Sequence, residues 1–256
     1  MIDPCAIISS KARIAANVTV APFAVIEAEV EIGEHTSIGA HAIIHSHTKL
    51  GSHNKIDAFV SLGGDPQYTT YNGELTYLEL GNHNTVREFC TISRGTKQGG
   101  GLTKLGNHNY LMAYCHVAHD CLLGNNIILA NGTHLAGHVQ VGDYVVFSGF
   151  CGIHQFVNIG AYCFLGRSTK IGQDIPPYML VTGVPGAPRG VNLVGLKRHG
   201  FSEETLRYFR RAYSLVYRKD LRLQEAIEEV SLLVQKCKEL QPFLDMLQHS
   251  KRGIAR

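Results

Sequence analysis

A parallel β-helix closed by a small α-helical tail is the fold this sequence predicts, and three observations predict it. Ile, Leu or Val, with one Phe, recurs at every sixth residue from Ile2, Ile8 and Ile14 to Leu62, from Leu80 to Ile92, and from Leu105 through Val117, Leu129 and Phe147 to Ile171. Glycine follows the anchor at Gly33 and Gly51 and again at Gly106, Gly124, Gly142 and Gly160, at multiples of 18 residues within each run. The six-residue period stops after Ile171, and past residue 190 apolar residues fall at helical spacing.

Neither a helix nor an ordinary strand has a period of six. A hexad supplies one short strand and a corner, three hexads close a triangular coil of about 18 residues, and stacked coils form parallel sheets about 4.8 Å apart. The anchors then point inward as columns, and glycine is expected at corners that require positive φ.

The first run, to Leu62, builds the early coils. Residues 63–79 (GGDPQYTTYNGELTYLE) interrupt it as a loop that preserves phase, because Leu62 and Leu80 are 18 apart. Residues 93–104 (SRGTKQGGGLTK) form a second loop that shifts phase by one, because Ile92 and Leu105 are 13 apart. Loops on a rigid scaffold often carry function. The prism is expected to end near Pro176-Pro177, followed by a turn-rich linker through Pro185, Pro188 and Gly190. Ser202-Glu203-Glu204 reads as an N-cap with acidic first-turn residues. Leu206, Phe209, Arg210 and Tyr213 continue that helix, Ala226, Ile227, Val230, Leu233 and Val234 mark a second, and a third is expected after Pro242. The expected units are a β-helix over 1–190 and a helical domain over 191–256.

Composition narrows the function classes. No apolar run is long enough to span a bilayer, and no leader with a charged start and apolar core is present. Seven scattered cysteines point to a reducing cytosol rather than a disulfide framework. From residue 191 onward 13 Lys/Arg face 8 Asp/Glu, against 11 and 13 before it, so the tail suits an acidic protein or a phosphate-bearing ligand. Nothing resembles a nucleic-acid motif.

Steps of 18 residues locate the chemistry. His119, Gly137 and Gln155 should stack at one corner of consecutive coils, with Asp120, His138 and Phe156 in the next column, His116 and His134 on the other side, and His154 beside Gln155. Such a strip suits acyl transfer to a hydroxyl. Imidazole is the natural general base near neutral pH. Asp120 is placed to orient His119, and a glycine N–H can stabilise an oxyanion. The absence of an evident activated Ser or Cys favours direct attack by the acceptor. The rival readings are a zinc lyase using His116, His119, His134 and His138, and a non-catalytic scaffold.

HVAHDC (116–121), ILANGTHLAGHV (128–139), HQFVNIG (154–160), QGGGLTK (98–104) and NLVGLKRHGFS (192–202) together resemble bacterial UDP-N-acetylglucosamine O-acyltransferases, along the whole chain. The resemblance implies a cytoplasmic homotrimer of left-handed parallel β-helices with clefts between subunits. It implies transfer of a 3-hydroxyacyl group from acyl carrier protein to the 3-hydroxyl of a UDP-sugar in lipid A synthesis, without a metal or other cofactor. Under it His119 is the base, Asp120 its partner and Gly137 the oxyanion donor. His116, His138, His154 and Gln155 line the sugar and thioester site, and Gln67, Asn192 and Arg198 help hold the nucleotide-sugar. Several positions depart from the family pattern: Tyr68, Thr69 and Thr70 replace Asp-Leu-Lys, Ser93 replaces a histidine, and Val194 and His199 replace an acid and an arginine. Arg167 stands where relatives taking long acyl chains have glycine at the end of the acyl groove, and is expected to shorten it or else to reach around it. Acylation of a 3-amino sugar nucleotide or another acceptor by a divergent paralogue is the alternative these changes raise.

Overall fold

The computed structural model describes all 256 residues. Strands of mostly two residues wind into a three-sided prism, and each pairs in parallel with the strand one coil later, giving sheets of nine, eight and ten strands. The register is the predicted one: Ile26 lies beside Ile44 and Val117 beside Leu135, each 18 residues apart. Across the first insertion partners are 30 apart (Leu62 and Ile92), and across the second 25 (Leu80 and Leu105). The first excess is a whole number of hexads and the second is one residue more, which is the phase shift seen in the sequence.

Both loops are shorter than expected. The flanking strands run Ser61–Gly64, Tyr77–Leu80, Thr91–Ser93 and Leu102–Leu105, leaving 65–76 and 94–101 outside regular structure. The reason is burial. Leu78 and Thr103 point into the core, and their strands pair from Tyr77 and Leu102 onward.

The corner glycines do a different job from the one expected. Gly33, Gly51, Gly106, Gly124, Gly142 and Gly160 are not at positive φ. They are required by close approach: a Cβ on Gly33 would lie 2.6 Å from the backbone carbon of Gly51. The left-handed positions fall two residues later on non-glycine side chains, for example His35, His53, His83 and His108 at φ 57–58°. Their rings stack coil on coil at centroid spacings of 4.7–4.8 Å. A second corner carries Phe23, His41, Phe59, Phe89 and Tyr114 in the same manner.

Inside the prism the apolar columns are joined by an amide ladder. Asn54 Oδ1 accepts from the Asn84 N–H, Asn84 Oδ1 from the Asn109 N–H and Asn109 Oδ1 from the Ile127 N–H, at 2.8–2.9 Å. The side-chain amides of Asn84 and Asn109 donate to the carbonyls of Gly106 and Gly124. Buried corners therefore leave few polar groups unpaired.

The prism does not run into a linker. After the coil ending at Ile175, Met179–Gly183 adds in parallel to the ten-stranded face and Gly186–Val191 returns antiparallel to it. The predicted turn region is thus a hairpin that covers the last coil. Four α-helices follow. Helix α1, Leu193–Arg198, was not foreseen and is capped by the Asn192 side chain. Helix α2, Glu203–Tyr217, has the Ser202 cap expected, and α3 spans Leu223–Val234. Helix α4, Gln241–His249, begins just before Pro242, because proline is tolerated in a first turn, where its missing N–H has no partner to lose. Asp174, fully buried, accepts from the Asn158 N–H and the Ser250 hydroxyl and so ties the tail to the prism. No helix is long and apolar enough to cross a membrane.

Replacing Asn84 by Ala leaves the Asn109 N–H and the Gly106 carbonyl without these partners inside the prism. We expect a loss of about 2–4 kcal/mol of stability, read as a lowered denaturant midpoint; an unchanged midpoint would show the ladder to be redundant.

Candidate active site

The predicted 18-residue column forms. His119 follows the inward Val117 by two residues and lies at the corner itself, its side chain 12 % exposed. Asp120 occupies the left-handed corner position at φ 60°, and its N–H donates to Thr103 Oγ1 at 2.7 Å. This turn aims the carboxylate back at its neighbour, so that His119 Nδ1 and Asp120 Oδ2 are 2.8 Å apart. One coil on, a Cβ at Gly137 would fall 2.6 Å from His119 Cε1 and 2.8 Å from Nε2. Only glycine fits beside this imidazole. The Gly137 N–H has no hydrogen-bond partner in the protein.

Asp120 is also held by the second inserted segment. The Thr96 N–H donates to Oδ1 at 2.8 Å and the Thr96 hydroxyl to Oδ2 at 2.6 Å. Gly99 packs so tightly that a Cβ there would lie 2.1 Å from Asp120 Cγ. Burial of the carboxyl works to raise its pKa, but the bonds from His119 and Thr96, with the nearby His138, outweigh it and hold the pKa below the usual range. Thr96 escaped the sequence reading because it sits in a segment with no period.

His138 follows in the Asp120 column, its Nε2 3.8 Å from Asp120 Oδ2 and its ring stacked on Phe156 at 4.3 Å. Burial lowers its pKa; Asp120 opposes this and His119 adds to it. His116 bonds through Nδ1 to Thr91 Oγ1 at 2.7 Å, and its pKa is lowered by burial and then by His134 and His119. His119, Asp120 and His138 present atoms within 4.8 Å of one another that can ligate a metal; His116 and His134 lie outside that group.

A groove of about 870 Å³ runs along this face. His116, His119, Gly137, His154 and Gln155 line it, together with Gln67 and Tyr68 from the first inserted segment. The Tyr68 ring lies 5.6 Å from that of His119. Arg94 anchors this segment by ion-pairing with Asp65 and donating to the Tyr71 hydroxyl. Two further lining residues, Gly152 and Lys170, were missed, although they continue the His116 and His134 column by steps of 18.

Five predicted residues do not line this groove: Asp120 and His138 line a neighbouring one with Phe156, Asn158 and the tail residues Asp245 and His249, and Asn192, Arg198 and Arg167 lie elsewhere. Asn192 accepts from the Gly195 N–H and donates to the Tyr162 carbonyl, so its side chain caps α1. Arg198 is exposed in the last turn of α1. Arg167 sits at another corner, its guanidinium carbon 5.8 Å from the Phe150 ring centroid.

The Asp120 pKa yields a sign. A carboxylate with a depressed folded pKa stabilises the fold above the ordinary range and loses that contribution as pH falls through the depressed value. The stability advantage of wild type over Asp120→Asn should be full near pH 7 and shrink below about pH 4. Thermal midpoints of both proteins from about pH 7 to about pH 3 test it, and a constant difference would show that Asp120 is not held as the anion.

Comparison with known proteins identifies the chain. Residues 174–255 match the model described as UDP-N-acetylglucosamine O-acyltransferase, domain 2, and residues 11–46 and 102–137 match bacterial transferase hexapeptide repeats. The acyl-[acyl-carrier-protein]--UDP-N-acetylglucosamine O-acyltransferase of Alkalilimnicola ehrlichii is 52% identical over 255 residues, covering 100% of this chain and 99% of that one. The enzyme of the same name from Thiobacillus denitrificans is 48% identical over 255 residues, with the same coverage. The crystal structure of the Francisella novicida UDP-N-acetylglucosamine acyltransferase superposes with a TM-score of 0.98 at 39% identity, covering 100% of this chain and 94% of that one. The shared fold is the left-handed β-helix. With that fold, those repeats and full-length identity of this order, the chain belongs to the UDP-N-acetylglucosamine O-acyltransferase family.

Proposed function

We propose that this protein transfers an acyl group from the thioester of acyl carrier protein to the 3-hydroxyl of UDP-N-acetylglucosamine, the first acylation of lipid A synthesis. The observation that carries the reading is the His119–Asp120–Gly137 arrangement at one corner of the groove, in a chain whose relatives bear that enzyme name. Asp120 takes Nδ1 of His119, which leaves Nε2 to remove the proton of the attacking hydroxyl. The hydroxyl adds to the thioester carbonyl, and the unpaired Gly137 N–H stabilises the oxyanion. Collapse of the tetrahedral intermediate expels the carrier thiolate, which takes back the proton from His119. Every step uses groups the chain itself supplies, and the reading includes no metal or other cofactor. His116, His138, His154 and Gln155 position sugar and thioester, and Gln67 reaches in from its loop.

The reading includes a cytoplasmic homotrimer built from a prism over 1–190 and a tail over 191–256. Phe23, Phe59, Phe89 and Tyr114, stacked in one column with His41, and Phe150 beyond Gly132 leave an exposed aromatic stripe that supports association of copies. In such an assembly Asn192, Arg198 and Arg167, which lie off the groove of their own chain, serve the groove of a neighbour. The basic tail suits an acidic carrier protein. Tyr68 and Thr70, where relatives carry an acid and a lysine, keep a 3-amino acceptor as the second reading, and product mass with both sugar nucleotides decides between them.

His119→Ala should lower kcat by about 10²–10⁴-fold, the usual range for a general base, with circular dichroism and assembly unchanged; near-normal turnover removes His119 from this role. Arg167→Gly should lengthen the preferred acyl chain across a panel of acyl carriers, and an unaltered profile would place the end of the groove elsewhere.

A further inference from the structure

We propose that Lys170 forms a phosphate-binding subsite at the far end of the His119 groove. The inference rests on the acyl-transfer reading and adds to it a residue that the family motifs do not mark. On the groove face the outward positions of successive coils are Thr91, His116, His134, Gly152 and Lys170. The backbone of Lys170 is therefore two coil steps, about 10 Å, beyond the coil that carries Gly137. Its side chain leans back along the groove. A Cβ on Gly152 would have one neighbour within 4 Å, the Lys170 Cγ at 3.9 Å. The glycine thus leaves an open bay between His134 and the lysine stem.

The charges around this bay favour an anion. The groove lining contains no aspartate or glutamate, and Lys170 is its one Lys or Arg. No ion pair in the protein engages the Lys170 ammonium. Val184 and Pro185, at the tip of the closing hairpin, form an apolar wall beside it. A compact cation beside such a wall is suited to a phosphate as a point charge. Each substrate of the proposed reaction carries one: the acceptor a diphosphate on the same sugar as the reacting hydroxyl, the donor a phosphodiester at the far end of its pantetheine arm.

The test compares wild type, Lys170→Met and Lys170→Arg. Equilibrium titration with UDP-N-acetylglucosamine in the absence of donor is one arm. The other is steady-state kinetics with acyl carrier protein, with acyl-phosphopantetheine and with acyl-pantetheine, which lacks the phosphate. Loss of one charge-assisted contact corresponds to about a tenfold weakening, with kcat little changed and affinity largely kept by Lys170→Arg. A loss confined to the sugar nucleotide assigns the diphosphate. A loss confined to the phosphorylated donors, absent with acyl-pantetheine, assigns the carrier's phosphate. Unchanged constants in Lys170→Met, or an equal loss in Lys170→Arg, overturn the subsite. Wild type that binds the nucleotide but transfers no acyl group sinks the function while the titration still reads the subsite.

Discussion

Every coil of the prism must turn three corners in 18 residues or so, and from Asn17 onward nearly every regular corner holds a residue near φ +60°. Left-handed backbone costs a non-glycine residue about 1–2 kcal/mol, and the conformation recurs here at Phe, His, Tyr, Asn and Asp. The coil-to-coil hydrogen bonds and the stacked rings offset that strain only if every corner lies directly above the last. Registry is therefore enforced throughout. Asp120, His138 and Phe156 share one such column at φ 60–65°, so the conformation that closes the coil also turns the Asp120 carboxylate onto His119. The pairing of Asp120 with His119 is thus a product of the corner itself.

A strict registry makes part of the site legible in sequence and hides the rest. His119, Gly137 and Gln155 could be placed together by counting, because 18-residue steps are spatial neighbours wherever the ladder is unbroken. The same counting reaches Lys170 from His116 in three steps, and only the difference in residue type concealed it. Thr96 could not be found in this way. It lies in the eight residues 94–101 that belong to no coil, and its bond to Asp120 depends on how that segment folds back. The glycine columns were legible as positions but not as causes: the period locates a crowded site without saying whether φ or a neighbouring backbone demands the glycine. The hairpin over the last coil was hidden by Pro185 and Pro188, which read as breakers although the strands are Met179–Gly183 and Gly186–Val191.

The inserted segments also resolve an electrostatic problem that the prism creates. A corner carboxylate turned toward the next coil is almost wholly removed from water, with the Asp120 side chain 1% exposed. An unpaired buried charge would take up a proton, and a protonated Asp120 orients the imidazole poorly. Thr96 supplies two donors from outside the ladder, and Gly99 lets its backbone close over the carboxyl. The second insertion is thus a lid for the aspartate, and the phase shift it introduces is tolerated because the apolar columns resume beyond it at Leu105.

Scaffold and inserted segments divide the labour of divergence. A change at Gly137 or Asp120 strikes groups that coil registry has packed within bonding distance, so it disturbs the fold and the chemistry together. A change at Tyr68, Thr69 or Thr70 alters a segment held by Arg94 through Asp65 and Tyr71, which leaves the ladder untouched. Val194 and His199 lie on or next to α1, where the His199 ring packs on Tyr144 at 4.7 Å and on Tyr162 at 5.4 Å. There the histidine makes an aromatic contact with the prism. Tyr68, Thr69, Thr70, Val194 and His199 thus lie where the backbone is not bound by the 18-residue rule, whereas the residues at the His119 corner are constrained twice, by coil registry and by their contacts with one another.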